Sequence, residues 1–257
     1  MKKFLSVIIL FTLIIPAQAQ VMEVGISKNG AFNQIIDTQT NMPVSNAKVS
    51  LPMQNYTTYT DQNGSFDLAA NINDSSILSV EKSGYRPFSL TINDKIAAKP
   101  MIIGIEKSNI QDITIATELF HLGDNNYSDA SANSSEFQAQ PVGPKFTKKV
   151  NLSPNTKNKT NYLVIGSIIG IDTLMARVMN QNKITTSFSS PPEVYFNGEK
   201  IAEIQLNGDN QKIKLPNRLI NAGMQNEIMI KTGRNLQQTA YIDYDDIEIM
   251  NLSIQSE

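Results

Sequence analysis

The chain has 257 residues, a formal charge of −2, one histidine, and neither cysteine nor tryptophan. The lack of cysteine excludes thiolate nucleophiles, Cys-ligated zinc and disulfides, so each core must hold together by burial alone. No basic cluster approaches what a phosphate backbone attracts, which argues against nucleic acid as a partner.

The chain opens with Lys2 and Lys3, an apolar run from Phe4 to Ile15, a break at Pro16, and Ala17-Gln18-Ala19. This order predicts a signal peptide over 1–19 with cleavage after Ala19. The apolar run is too short for a bilayer span of about 20 residues. Export follows: a secreted, periplasmic or cell-surface protein, with no membrane span after signal cleavage. No cysteine follows the cleavage site, which excludes a lipoprotein anchor.

The rest has the texture of β-structure, with short alternating runs separated by Asn, Asp, Gly, Ser and Pro clusters. Phe66 and Leu68, Leu78 and Val80, and Leu90 and Ile92 alternate with polar neighbours, which predicts strands with one face in a core and one in water. Asn197-Gly198 lies between two such runs and predicts a tight hairpin. The run from Leu163 to Ile171 is expected to be buried strand and turn. Leu174, Ala176 and Val178 fit a strand and Leu174, Met175, Val178 and Met179 a helix; the β context on both sides favours the strand. A boundary near Ser108 gives domains of 20–108 and 109–257. Asp124 to Pro144, rich in Asn and Ser, is either a linker or, preferably, the opening loop of the second domain.

Within the first domain, Ile35-Ile36-Asp37, Pro43-Val44, Asn46-Ala47-Lys48-Val49, Thr60-Asp61-Gln62-Asn63-Gly64-Ser65-Phe66 and Ser83-Gly84-Tyr85 occur in order. Asp61 can close an Asx-turn and Gly64 can take a positive φ there. This series resembles a carboxypeptidase regulatory-like domain, a small seven-stranded β-sandwich of prealbumin-like type. The family usually has Gly at the positions of Asn33 and Asn46, and Asn also tolerates left-handed backbone. The resemblance implies an accessory module without chemistry of its own. Asp61-x-Asn63-Gly64 also looks like the start of a calcium loop, but Ile72 stands where an EF-hand needs Glu.

In the second domain, Glu193-to-Ile201, Ile213-Lys214-Leu215-Pro216, Gly223-to-Ile230 and Tyr241-to-Ile249 follow one another. Their order resembles a galactose-binding-like jelly roll, with Gly223-x-x-Asn226 one residue longer than the family's turn and Ile247 in place of an aromatic. The whole chain is therefore expected to be all-β: two β-sandwich domains, the second a larger jelly roll whose first strand is placed at about Phe146 to Leu152. The resemblance implies an opening loop against the closing strand, where Asp124, Asn126 and Asp246 could supply oxygens to a structural calcium; the competing reading is a solvated loop. Tyr127, Arg234 and Asn235 are the candidates for a glycan site, against plain loop packing.

Enzymatic residues are sparse. His121 is the only possible centre of a histidine-based triad and is expected to be a loop or surface side chain. Asp243, Asp245 and Asp246 form the densest acid cluster; alternation separates Asp246 from the other two, and such terminal strands are expected to be solvated edges. Gly166-x-x-x-Gly170 lacks the third glycine of a dinucleotide fingerprint. No cofactor is required. The expected function is an exported, non-catalytic binding protein that recognises a glycan. The alternatives are a scaffolding envelope protein acting through a surface-protein partner, or an accessory subunit of a separate enzyme.

Overall fold

The computed structural model describes residues 32–70, 72, 75–124, 137, 139–182 and 188–257. The expected leader lies outside these residues, as do Asn126 and Tyr127. Among the described residues no helix is long and apolar enough to cross a membrane.

Among the described residues the first domain contains seven strands: β1 (Asn33–Asp37), β2 (Lys48–Leu51), β3 (Tyr56–Tyr59), β4 (Ser65–Phe66), β5 (Ser76–Glu81), β6 (Phe88–Ile92) and, after the single-turn helix α1 (Asp94–Ala97), β7 (Ile102–Ile105). They form sheets of order β4-β1-β7 and β3-β2-β5-β6, with β1 and β7 parallel. Ile35, Val49, Leu51, Leu78, Val80 and Ile103 fill the space between the sheets. The turn before β4 forms as its residues dictate. Asp61 Oδ1 accepts the amides of Asn63 and Ser65, both at 2.8 Å. Gly64 has φ +71°, and a Cβ there would lie 2.5 Å from the Ile35 carbonyl oxygen. Asn46 is left-handed at φ 51°. Asn33 is instead extended in β1, and its side-chain oxygen accepts the Met101 amide at 3.0 Å.

Among the described residues the second domain contains eight strands: β8 (Ile113–Leu122), β9 (Lys145–Asn151), β10 (Asn161–Ile169), β11 (Glu193–Phe196), β12 (Glu199–Glu203), β13 (Gly208–Lys214), β14 (Gln225–Lys231) and β15 (Ile247–Ser256). Their sheet orders are β13-β10-β15-β8 and β12-β11-β14-β9, antiparallel throughout. Numbered from its own first strand, this is 6-3-8-1 packed on 5-4-7-2, the strand order of a jelly roll. Asn197 and Gly198 both have positive φ and join β11 to β12 as expected. Edge strand β9 carries Lys145, Lys148 and Lys149, charges that discourage pairing with another chain.

Three expectations change here. The domain's first strand is β8, upstream of Phe146, so Asp124 to Pro144 joins two strands of one domain. The strand pattern of β8 is hidden by a bulge: Leu119 pairs with Met250 and Ala116 with Leu252, leaving Thr117 and Glu118 opposite Asn251. Leu174–Val178 is a helix, α2, not a strand. Its local sequence decides this: the Thr173 hydroxyl caps it by accepting the Ala176 amide at 3.0 Å. Asn180 at φ 57° ends it, with Asn180 N–H donating to Arg177 O and Gln181 N–H to Ala176 O, a Schellman motif. Finally, the Asp243-to-Glu248 segment is buried, not a solvated edge.

The two sandwiches meet face to face. β6 lies over β10 and β13: Ser167 Oγ and Ser89 Oγ are 2.9 Å apart, and Asp209 accepts the Thr91 amide at 3.0 Å and hydroxyl at 2.8 Å. β5 lies over β15, where the left-handed Asn251 sends its amide to Ser79 Oγ (3.1 Å) and the Phe88 carbonyl (2.8 Å). A Cβ on Gly166 would come within 2.5 Å of Ser89 Oγ, so only glycine allows this approach. Met53, Ile77, Ile169 and Met250 add an apolar patch. Arg86 clamps the connection through Asp112 Oδ2 (2.7 Å) and Glu106 (2.6 Å).

Candidate functional site

One end of the jelly roll gathers most of its buried polar side chains. Segments after β8, after β10, before β11, after β14 and before β15 cross there. They are tied by Ser189 N–H to Asp172 O (2.7 Å), Ser190 N–H to Arg234 O (2.9 Å), Asn235 N–H to Asp243 O (2.8 Å) and Asp245 N–H to Gly233 O (3.1 Å). The described acids at this end include Asp172, Asp243, Asp245, Asp246 and Glu248, each less than 5% exposed.

Strand alternation divides the closing acids. Asp246 and Glu248 lie on the sheet face that also carries His121, which pairs with Glu248 across the β8–β15 ladder. His121 is fully buried; its Nε2 is 2.8 Å from Asp246 Oδ1 and its Nδ1 3.8 Å from Glu248 Oε1. Phe137 meets the imidazole edge-on, with centroids 4.8 Å apart. Burial alone would drive the imidazole towards neutrality. The hydrogen bond to Asp246 and the nearby charges of Asp246 and Glu248 outweigh it and raise the His121 pKa to about 9. The side chain is an imidazolium at neutral pH. Burial pushes Asp246 up from the usual carboxylate range, and His121 pulls the other way. Gly123 makes the tight fit possible: a Cβ there would sit 1.9 Å from Asp246 Oδ1.

On the opposite face, Asp245 accepts the Asp172 amide at 3.2 Å, and Asn182 donates to Asp172 at 2.9 Å. Burial first, and then the Asp172 charge, push the Asp245 pKa well above the ordinary carboxylate range. These groups fix loops. Among the described contacts none presents a nucleophilic hydroxyl to the imidazole.

Asp124 does meet the closing segment as the resemblance implied: its Oδ2 accepts the Tyr244 amide at 3.3 Å, and its charge raises the Asp246 pKa. The fit to calcium is poor. Asp246 already holds a cation in His121, and among the described residues no three His, Asp or Glu side chains converge as a metal requires. Arg234 is exposed. The Asn235 side chain is occupied within its own loop, donating to Asp243 at 3.0 Å and accepting the Gln237 amide at 2.9 Å. His121 was expected in a loop or at the surface and is instead fully buried within β8. Its only signal in the sequence is a lone histidine on a strand-like run.

α2 adds a surface that sequence reasoning missed. Leu174, Met175, Val178 and Met179 are 55%, 47%, 71% and 59% exposed, and Ala176 alone is buried. Arg177 stacks over Phe188, whose carbonyl accepts the Leu236 amide at 3.1 Å, so α2 belongs to the same knot of loops. Leu236, Tyr241 and Ile242 are also exposed there.

The fold and this end define an all-β protein of two sandwiches, the second with a loop-bearing apolar surface. Residues 34–114 match the family model of the CarboxypepD_reg-like domain, which takes in β1 to β7 and the start of β8. The match supports the reading of the first domain. No curated protein matches the chain.

Proposed function

We propose that this chain is an exported, non-catalytic interaction protein that docks another protein of the cell envelope through the loop end of its jelly roll, with the first sandwich as a fixed support. The carrying observation is α2, which turns Leu174, Met175 and Val178 outward on a helix of five residues and is followed by the equally exposed Met179 at its C-cap. Clustered exposed apolar groups of this kind mark interaction sites. The strand order accords with a galactose-binding-like module, and a glycan site near Arg234 is the second reading. That reading is weaker because Asn235 is spent on its own loop and no tryptophan supplies a stacking platform.

The test compares the mature chain with Val178→Asp, a change at a solvent-facing position, on envelope extract of the source cells and on a glycan array. The proposal expects a discrete protein captured by the wild type and lost at least tenfold with Val178→Asp, at unchanged melting temperature. Glycan binding that Val178→Asp leaves intact would replace this reading with the second.

A further inference from the structure

Opposing strands can be counted across the domain interface. β6 faces β10 and β13, β5 faces β15, and β2 faces β8, whose Thr117 and Leu119 share a hollow with Lys48 and Ser50. The first-domain sheet has one more strand, β3, while the second-domain sheet stops at β8. Beside β8 lies an open groove of two adjoining hollows, of about 480 and 580 Å³, joined at Lys48, Glu81 and Thr117 and walled on the first-domain side by β2, the turn that follows it and the end of β5. It continues the established contact between the domains.

One wall of this groove is a sheet edge. The His121 carbonyl points away from β15 and accepts the Val142 amide at 2.9 Å, so residues 141–142 already cover the far end of that edge. Two residues back, Leu119 faces the same way by strand alternation. Beyond the bulge, the Thr117 amide donates to the side chain of its own neighbour, Glu118 Oε2, at 3.1 Å. From Thr114 to Leu119 the edge runs about 16 Å. The floor is polar and carries both charges in the Lys48–Glu81 pair, 2.9 Å apart.

We propose that this groove binds an extended peptide segment of a partner protein, which pairs with the β8 edge as a further strand of its sheet. Main-chain hydrogen bonds to Leu119, and to the Thr117 amide once a peptide carbonyl displaces the Glu118 carboxylate from it, would supply the attraction, and alternate side chains would lie over Lys48 and Glu81. This surface is separate from the loop end and does not depend on its role.

The experiment selects linear dodecapeptides from a phage-displayed library on the mature chain, with counter-selection on Thr117→Pro. Proline is found at bulges and on edge strands, so this variant should fold and lose only the amide bond to Glu118, which a melting curve beside the wild type checks. Thr114→Trp, at an exposed strand position lining the second hollow, is an independent block. A selected peptide, made synthetically, should bind at least tenfold more weakly to either variant. N-methylation of alternate peptide amides should abolish binding in one register and spare it in the other, and binding should slow amide exchange at Leu119. Failure to enrich any peptide through counter-selection, or equal tolerance of N-methylation in both registers, would overturn the proposal.

Discussion

The two sandwiches bury ionisable groups in opposite ways. In the first, Asp37 has donors in plenty: its Oδ1 accepts the amides of Gln39 and Thr40, both at 2.9 Å, and its Oδ2 the Tyr85 hydroxyl at 2.9 Å. The Thr40 amide leads in lowering the Asp37 pKa to about 2, against the effect of burial. In the second, several acids share few donors and a single imidazolium, and the pKa values of His121, Asp245 and Asp246 all rise. A turn that meets its carboxylate with main-chain amides resists acid. A knot of loops closed by one cation must keep that cation protonated.

The signs follow by linkage. The folded pKa of Asp37 lies below its ordinary 3.8, so its contribution is present above that value and lost as pH falls through about 2. The folded pKa of His121 lies above 6.5, so its contribution is complete below pH 6.5 and lost as pH rises through about 9. Protonation of Asp245 acts in the same direction as that of His121.

The largest expected effect comes from His121→Leu, which leaves Asp246 and Glu248 buried without their cation. It should cost about 3–5 kcal/mol at pH 6 and lessen the decline in stability between pH 6.5 and 9 by the part that His121 carries. Denaturant melts across that range check both parts; an unchanged alkaline decline would mean that another group carries it. Asn251→Ala should cost less, about 1–3 kcal/mol, by removing the two hydrogen bonds to Ser79 and Phe88. It should also loosen the coupling of the domains, so that calorimetry resolves two transitions where the wild type gives one. The smallest effect is Asp37→Asn. At neutral pH the melting temperature should fall modestly, and between pH 4 and 2 the variant should lose less stability than the wild type.

Much of the fold was legible because local chemistry settled it. The Asp61 turn, the Asn197-Gly198 hairpin and the left-handed Asn46 each follow from what those residues tolerate. The domain contact was not legible. Ser79 and Ser89 read as the solvent side of alternating strands, yet both are buried because a second sheet covers them. Period-two alternation reports two faces and cannot distinguish water from a polar partner. The bulge at Thr117 and Glu118 breaks that period and hid β8, and with it the depth of His121. α2 was misread because its caps, Thr173 and Asn180, lie outside the apolar positions that were weighed.

The central claim, a buried imidazolium that ties the jelly-roll loops, can be read from one atom. His121 is the only histidine of the chain, so its ring Hε1 signal is unambiguous in a proton NMR titration of the tag-free protein. The structure predicts a midpoint near 9, with the signal still that of the charged ring at pH 7.5. A midpoint at or below the ordinary 6.5, or a ring already neutral at pH 7.5, would contradict it.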